Sequence, residues 1–214
     1  MSRPKIIPAI LTDDPNALES MVRQAEQFAS YIQIDIMDGE FVPSRSISWE
    51  KIAGLALKSR WEAHLMVRQP DTYFEGFKRA GAEKVVFHYE AASTPDTVIA
   101  RARGVSLKVG LAVNPETAVG AIAPLLSEVD SVLLLTVHPG FYGSTFIPEV
   151  LNKIAEIRVL RPGLEIDVDG GIKESNIAEV ARHGVDAICV GSAIFRQPDP
   201  AESYRRLLKL AQES

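Results

Sequence analysis

The segment Gln33-Ile34-Asp35-Ile36-Met37-Asp38-Gly39 alternates aliphatic side chains with polar or sulfur-bearing ones and ends at a glycine. A period of two is typical of a β-strand, and it puts Ile34 and Ile36 on one face and Asp35 on the other. The segment Asp167-Val168-Asp169-Gly170-Gly171 repeats this pattern. A carboxylate on a strand built for burial costs free energy unless it is paired, so Asp35 and Asp169 are candidate acid–base residues.

Strand patterns of this kind recur along the whole chain, and each is followed by a helical pattern, with about 25 residues per unit. Eight such units predict parallel strands joined by crossover helices, closed into a (β/α)8 barrel that forms one domain over residues 1–214. The alternative is an open doubly wound sheet, but its Gly-x-Gly-x-x-Gly turn is replaced by residues 11–15, Leu-Thr-Asp-Asp-Pro. The predicted strands are 6–11, 31–37, 61–67, 84–90, 107–113, 131–137, 164–169 and 187–190. The predicted helices are 13–29, 48–57, 70–81, 94–103, 115–126, 146–159, 176–183 and 199 to the end.

The charge and composition of the chain exclude several classes of partner. A formal net charge of -5 and the absence of a Lys/Arg cluster argue against nucleic-acid binding and attraction to anionic lipid. No apolar run is long enough for a membrane span, and the N-terminus lacks the apolar core of a signal peptide. The lone Cys189 rules out an internal disulfide and is expected to be a buried strand residue. We expect a cytoplasmic protein.

The barrel prediction locates the chemistry at the carboxyl ends of the strands. Glycine-bearing turns follow strands six, seven and eight, and backbone N–H groups in such turns bind phosphate well, so the expected partner is a small phosphorylated molecule. Lysines that could form a Schiff base lie near strand starts, at the opposite mouth. The inward-facing candidates are Gln33, Asp35, Met37, Glu62, His64, Met66, His88, Asp167 and Asp169.

At these positions the chain resembles the ribulose-phosphate 3-epimerase family over nearly its whole length. The motifs that carry the resemblance include residues 35–43, Asp-Ile-Met-Asp-Gly-Glu-Phe-Val-Pro, and residues 64–66, His-Leu-Met. The resemblance implies an isomerase of the pentose phosphate pathway that converts D-ribulose 5-phosphate to D-xylulose 5-phosphate through a 2,3-enediolate. It implies that Asp35 and Asp169 act from opposite faces of the sugar, and that the protein forms a homo-oligomer.

The resemblance also implies a divalent metal cofactor, Mn, Fe, Zn or Mg. Two histidines and two aspartates hold the metal in the family, and the matching positions here are Asp35, His64, Asp169 and Gln33, a glutamine in place of a histidine. A serine of the family is Ala9 here, which favours a rebuilt sugar contact. The implied phosphate-binding residues are Gly143, Gly170, Gly171, Gly191 and Ser192, and the implied substrate pocket contains Met37, Met66 and His138.

Several alternatives remain open at this stage. From the residues alone, a catalytic and a structural role for Asp35 and Asp169 are equally supported, and the resemblance favours catalysis. The substrate could be another ketose phosphate, of the hexulose 6-phosphate type. A lyase would need an inward lysine at a strand end, and a non-catalytic phosphosugar-binding barrel would have little use for two opposed carboxylates.

Overall fold

The computed structural model describes residues 3–140 and 145–213. Eight parallel strands close into a barrel in chain order, with β8 paired to β1. This confirms the predicted (β/α)8 barrel, and the alternative of an open doubly wound sheet is wrong. The strands are β1 (Lys5–Ile10), β2 (Tyr31–Met37), β3 (Arg60–Met66), β4 (Lys84–His88), β5 (Lys108–Val113), β6 (Ser131–Leu135), β7 (Glu165–Asp169) and β8 (Ala187–Val190).

Helices follow the strands and cover the outside of the barrel. The first and last begin as the sequence predicts, because Asp14 and Asp199 each accept a backbone N–H from the first turn and a proline follows each of them. The α-helices are α1 (Pro15–Ala25), α2 (Trp49–Ala53), α3 (Phe74–Arg79), α4 (Pro95–Gly104), α5 (Val119–Ile122), α6 (Asn152–Leu160), α7 (Ile177–Arg182), α8 (Ser192–Phe195) and α9 (Pro200–Gln212). Short 3₁₀ turns cover Pro70–Thr72, Tyr89–Ala91, Ala123–Leu125 and Pro148–Leu151.

Several predicted helices are longer than the observed ones, and two of them have a clear physical reason. The helix expected over 48–57 ends at Ala53, and Ala56 then takes a left-handed φ of 46°, which a continuing α-helix does not allow. The helix expected from residue 115 begins at Val119. The Lys153 ammonium group donates to the carbonyl oxygens of residues 114, 115 and 117, at 3.1, 2.7 and 2.7 Å, so those carbonyls are bound outside any helix.

The core has two layers. Between strands and helices it is aliphatic and aromatic, and Ile32, Ile34 and Ile36 of β2 are at most 2% exposed there, as their period of two predicts. Inside the barrel, small and aliphatic side chains from every second strand position pack together, among them Ala9, Leu133 and Cys189. The polar members of β2, β3 and β7 therefore point into the barrel.

The two ends of the barrel interior differ in character. At the amino ends of the strands, the Lys84 ammonium group lies 2.7 Å from Glu62 Oε2 and 3.3 Å from Asp167 Oδ2, and it also contacts the Ser131 hydroxyl at 3.2 Å. Tyr31 donates to the same Glu62 carboxylate at 3.0 Å. Glu62 and Asp167, which the sequence placed among the mouth residues, therefore belong to a buried charge cluster below the mouth. A strand pattern gives the face of a residue but not its depth in the barrel.

Among residues 3–140 and 145–213, no helix has the length and apolar character that crossing a membrane requires.

Candidate active site

The register of β2 and β3 brings the first three site residues together. Asp35 pairs with His64 across the two strands, so that His64 Nδ1 lies 2.9 Å from Asp35 Oδ1. Asp169 comes from the end of β7, and its Oδ2 lies 3.6 Å from the same imidazole nitrogen. Gln33 is two residues before Asp35, and its Nε2 donates to Asp35 Oδ1 and to Asp169 Oδ2, at 2.8 Å each. The four residues predicted at the metal position form one cluster.

The loop after β2 holds Asp35 in position through the backbone. The Ser46 hydroxyl donates to the carbonyl oxygen of Asp35 and accepts the Met37 N–H, each at 2.9 Å. Asp38 accepts the backbone N–H groups of Glu40 and Phe41, and that of Arg68. Burial alone would raise the pKa of Asp38, but these three hydrogen bonds lower it. Asp38 therefore shapes the loop, and Asp35 faces the cavity.

A cavity of about 110 Å³ opens above the cluster at the carboxyl ends of the strands. The predicted residues Met37 and Met66 line it, as do Gly170, Gly171, Gly191 and Ser192. Ala9, which the sequence placed at a sugar contact, also lines it. The sequence prediction did not include the rest of its wall, which is mostly apolar: Leu11, Leu135, Val137, Pro139, Gly140 and Ile172. A neighbouring cavity of about 560 Å³ shares several of these residues and continues to Ser44, Arg45 and Arg196.

One other predicted site residue, His138, is not in this wall. His138 lies outside the cavity lining, with a side chain that is 67% exposed and Nδ1 2.8 Å from Glu116 Oε1. Gly143 lies outside the described residues. No lysine is among the described residues that line the cavity. The sequence analysis places the lysines near the strand starts, at the opposite mouth.

The turn after β7 depends on glycine. Gly170 has a φ of 109°, and a Cβ at this position would lie 2.5 Å from Val137 Cγ2. Gly171 has a φ of 68°. Thr136 donates through its hydroxyl to the Gly170 carbonyl oxygen at 2.6 Å, and Asn176 donates to that of Gly171 at 3.0 Å. These contacts fix the backbone directly after Asp169, where a Cβ on either glycine would meet Val137 of the cavity wall.

Burial and charge act on the acids of the site together. Burial, and then the negative charge of Asp35, raise the pKa of Asp169, while His64 and Gln33 oppose this shift. Burial alone would lower the pKa of His64, but its hydrogen bond to Asp35 and the charges of both aspartates raise it. Asp169, buried beside a second carboxylate, is therefore the acid that the site pushes toward its protonated form.

A hydrogen-bond chain behind His64 sets its tautomer. His64 Nε2 lies 3.0 Å from Nε2 of His88, and His88 Nδ1 lies 3.4 Å from Glu90 Oε2. Burial lowers the pKa of His88 to about 4, so this ring is neutral at physiological pH. Its Nδ1 donates to the carboxylate, which leaves Nε2 to accept from His64 Nε2. The neutral form of His64 then carries no proton on Nδ1, the nitrogen that faces the aspartates, as a metal-ligating histidine requires.

Three of the four predicted ligands fit a metal ion. Asp35, His64 and Asp169 each offer a ligand atom, and these atoms lie within 4.8 Å of one another. Two carboxylate oxygens and an imidazole nitrogen form a donor set that suits Mn, Fe or Zn. Gln33 is different, because the atom that it directs at the carboxylates is its amide nitrogen, which cannot ligate a cation.

The sequence did not predict the partner of this amide. Cys189 is 1% exposed, as expected for a buried strand residue, and its Sγ lies 3.1 Å from Gln33 Oε1. Both residues point into the barrel. The alternation of side chains in β2 and β8 predicts this orientation for each residue, but it does not predict that the two side chains meet.

Fold and site together define a parallel (β/α)8 barrel with an acid–base cluster and glycine turns at the carboxyl mouth, where barrel enzymes carry their chemistry. The chain belongs to the Ribulose-phosphate 3 epimerase family, whose sequence pattern matches residues 5–195. Membership makes it an isomerase of the carbohydrate epimerase type, which confirms the resemblance inferred from the motifs.

Relatives cover all or most of the chain. It is 34% identical over 225 aligned residues to the ribulose-phosphate 3-epimerase of Schizosaccharomyces pombe, with 100% of this chain and 98% of the relative covered. It is 36% identical over 188 residues to the enzyme of the same name from Aquifex aeolicus, with 85% of each chain covered.

Solved structures share the fold at lower sequence identity. KGPDC from Streptococcus mutans, solved as a ligand complex, superposes with a TM-score of 0.78 at 13% identity, and 99% of each chain is covered. 3-Hexulose-6-phosphate synthase from Salmonella typhimurium gives a TM-score of 0.71 at 19% identity, with 98% of this chain and 99% of that chain covered. At these identities the likeness is one of fold.

Proposed function

We propose that the chain inverts C3 of a ketose phosphate and that its substrate pair is D-ribulose 5-phosphate and D-xylulose 5-phosphate. The observation that carries this proposal is the pair Asp35 and Asp169 at one cavity, on β2 and β7, which are separated by β1 and β8 around the barrel. Inversion requires one group to take a proton from C3 and a second group to deliver one from another side. The relatives' shared name supports the choice of sugar.

In this mechanism the two aspartates exchange roles. One carboxylate is ionised and removes the C3 proton, while the other is protonated and returns a proton to the opposite face. Burial and mutual repulsion, which raise the pKa of Asp169, favour this state of one charge and one proton. His64 orients Asp35 through its 2.9 Å contact, and Met37 and Met66 keep the wall beside the sugar apolar. A divalent cation, when bound by Asp35, His64 and Asp169, would stabilise negative charge that develops on the substrate oxygens.

The phosphate group is assigned to the glycine turns after β7 and β8. Gly170, Gly171, Gly191 and Ser192 line the cavity on that side, and glycine lets backbone N–H groups approach an anion closely. Gly143 is proposed to contribute from the loop after β6. Four further points stay predictions: the identity of the cation, the homo-oligomeric state, the cytoplasmic location and the role of His138.

A second candidate is a ketose phosphate with a longer chain. Two features favour it: Ala9 offers no hydroxyl to the sugar, and the neighbouring cavity extends from Gly191 and Ser192 toward Arg45 and Arg196. Both candidates use the same two aspartates.

The test is an NMR assay of C3 inversion with D-ribulose 5-phosphate and with six-carbon ketose phosphates. We expect conversion of the five-carbon sugar. A clear preference for a six-carbon sugar would contradict the first proposal and support the second candidate. Asp35→Asn and Asp169→Asn should each lower kcat at least about 10²-fold, since a general acid or base contributes on the order of 10²–10⁴. Asp38→Asn is the matched control, because Asp38 is outside the cavity lining, and it should change kcat far less.

A further inference from the structure

The amide of Gln33 is fully hydrogen-bonded inside the barrel. The residue is 0% exposed. Its Nε2 donates to Asp35 Oδ1 and to Asp169 Oδ2, both at 2.8 Å. Its Oε1 accepts from the Cys189 thiol at 3.1 Å. Both amide protons and the carbonyl oxygen are therefore occupied, and the amide nitrogen joins the two carboxylates on which the proposed chemistry depends.

The partners of this amide allow one orientation. An ionised carboxylate only accepts hydrogen bonds. One of the two acids is ionised in the proposed mechanism, and that acid requires the nitrogen and not the oxygen of the amide. Turning the group over would place the carbonyl oxygen against two carboxylate oxygens. It would also replace the thiol-to-carbonyl hydrogen bond by an amide N–H directed at sulfur, which is a weak acceptor. The Cys189 thiol and the two carboxylates thus select the same orientation.

We propose that Gln33 is a positioning residue and not a cation ligand: its amide clamps Asp35 and Asp169 together in the cation-free protein, and a divalent cation must displace it. The inference rests on the proposed function for the metal site, but it concerns binding and not turnover. The oxygens that accept from the amide, Asp35 Oδ1 and Asp169 Oδ2, also face His64 Nδ1, at 2.9 and 3.6 Å. A cation held by these three atoms would therefore compete with the amide for the same oxygens. The clamp keeps the two acids in place when no cation is bound, and it lowers the affinity of the site for one.

Competition makes a prediction opposite to that of ligation. If Gln33 clamps, removing its amide leaves the three ligands of Asp35, His64 and Asp169 free, and the cation binds more tightly. If Gln33 ligates, the same change removes a donor, and the cation binds less tightly. When the amide closes the site in part of the molecules, the measured affinity for the cation is the intrinsic affinity multiplied by the fraction of molecules in which the site is open.

The experiment is calorimetric titration of Mn²⁺ into the substrate-free protein and three variants. Gln33→Leu keeps the bulk of the side chain without its donors, and we expect its affinity for Mn²⁺ to rise about tenfold, which corresponds to about 1.4 kcal/mol. Gln33→His adds an imidazole ligand, and it should bind Mn²⁺ more tightly than the wild type. Tyr31→Phe is the matched control on the same inward face of β2, because Tyr31 contacts Glu62 and not the aspartates, and its affinity should not change.

A second readout uses the wild-type protein alone and covers the case in which Gln33→Leu does not fold. In ¹⁵N-labelled protein, the Gln33 side-chain amide should give two exchange-protected proton signals, and saturating Zn²⁺ should shift both. Unchanged signals with Zn²⁺, weaker or unchanged Mn²⁺ binding in Gln33→Leu, or no binding by any variant would each overturn the proposal. Both measurements use substrate-free protein, so a failed epimerase assay would contradict the proposed function without affecting the test of the clamp.

Discussion

Lys84→Met removes the ammonium group that lies between Glu62 and Asp167 at the amino end of the barrel. Its side chain is 6% exposed and theirs are 0% exposed, with N–O distances of 2.7 and 3.3 Å. The second oxygen of each carboxylate, Glu62 Oε1 and Asp167 Oδ1, has no hydrogen-bond partner among the described residues. Methionine has a similar length and no charge, so the variant retains the packing and loses the charge.

The size of the effect follows from the proton that the folded variant must take up. Without Lys84, the buried carboxylates of Glu62 and Asp167 have no positive charge beside them. The pair therefore binds one proton more in the folded variant than in the folded wild type. Holding a glutamic acid protonated at about pH 7.5, when its ordinary pKa is about 4.3, costs about 4 kcal/mol at 1.36 kcal/mol per pKa unit. This value falls within the range of about 3–5 kcal/mol for removing one partner of a buried ion pair.

The pH dependence has a definite sign. The folded variant binds more protons than its unfolded chain, so its stability falls as pH rises. At about pH 5.5 the same calculation gives about 1.6 kcal/mol. The assay is urea unfolding followed by circular dichroism at both pH values, for the wild type and the variant.

A charge-free control separates electrostatics from packing. Adding Glu62→Gln and Asp167→Asn to Lys84→Met removes the three buried charges, and most of the lost stability should return. Glu165, 3.7 Å from Lys84, stays charged, but its side chain is 44% exposed. A loss below about 1 kcal/mol at pH 7.5, or an equal loss at both pH values, would refute the reasoning.

Two further predictions concern the carboxyl end of the barrel. Gly170→Ala should destabilise the fold by about 1–3 kcal/mol, because a φ of 109° is strained for alanine and its Cβ would meet Val137, whereas Gly120→Ala in α5, with no atom within 4 Å, should not. Urea unfolding measures the free energy of unfolding of both variants, and equal values for Gly170→Ala and Gly120→Ala would contradict this account. In cation-free protein, ¹⁵N NMR should show His88 as a neutral ring protonated on Nδ1 from pH 8 down to about 5, and its contribution to stability should be complete above about pH 6.5 and lost as the pH falls toward 4. An imidazolium signal for His88 at pH 6 would contradict the tautomer assigned to His64.

The sequence predicts the barrel well because its signals are local. The alternation of Ile34, Asp35 and Ile36 fixes which face of β2 is polar, and the neighbouring strands share that alternation. Proline after Asp14 and after Asp199 marks where two helices begin. Each of these features depends on a few adjacent residues, so no knowledge of the rest of the fold is needed.

Distant contacts are the part that local patterns do not supply. The predicted helix at residue 115 starts late because Lys153, nearly forty residues further on, binds its carbonyl groups. Glu62 and Asp167 share the inward phase of His64 and Asp169, and their depth in the barrel depends on strand register. The contact of Gln33 with Cys189 joins residues 156 apart in the chain. In each case a side chain on another strand or helix decides the outcome.

The measurement that tests the central claim most directly is deuterium incorporation at C3 during the first conversion of D-ribulose 5-phosphate in D₂O, followed by NMR. With two aspartates acting from different sides, the D-xylulose 5-phosphate that forms first should carry deuterium at C3, because the proton returned comes from the second, solvent-exchanged acid. Asp35→Asn and Asp169→Asn should form almost none of this product. Product that keeps the protium of its substrate, or full conversion by either asparagine variant, would contradict the two-aspartate mechanism.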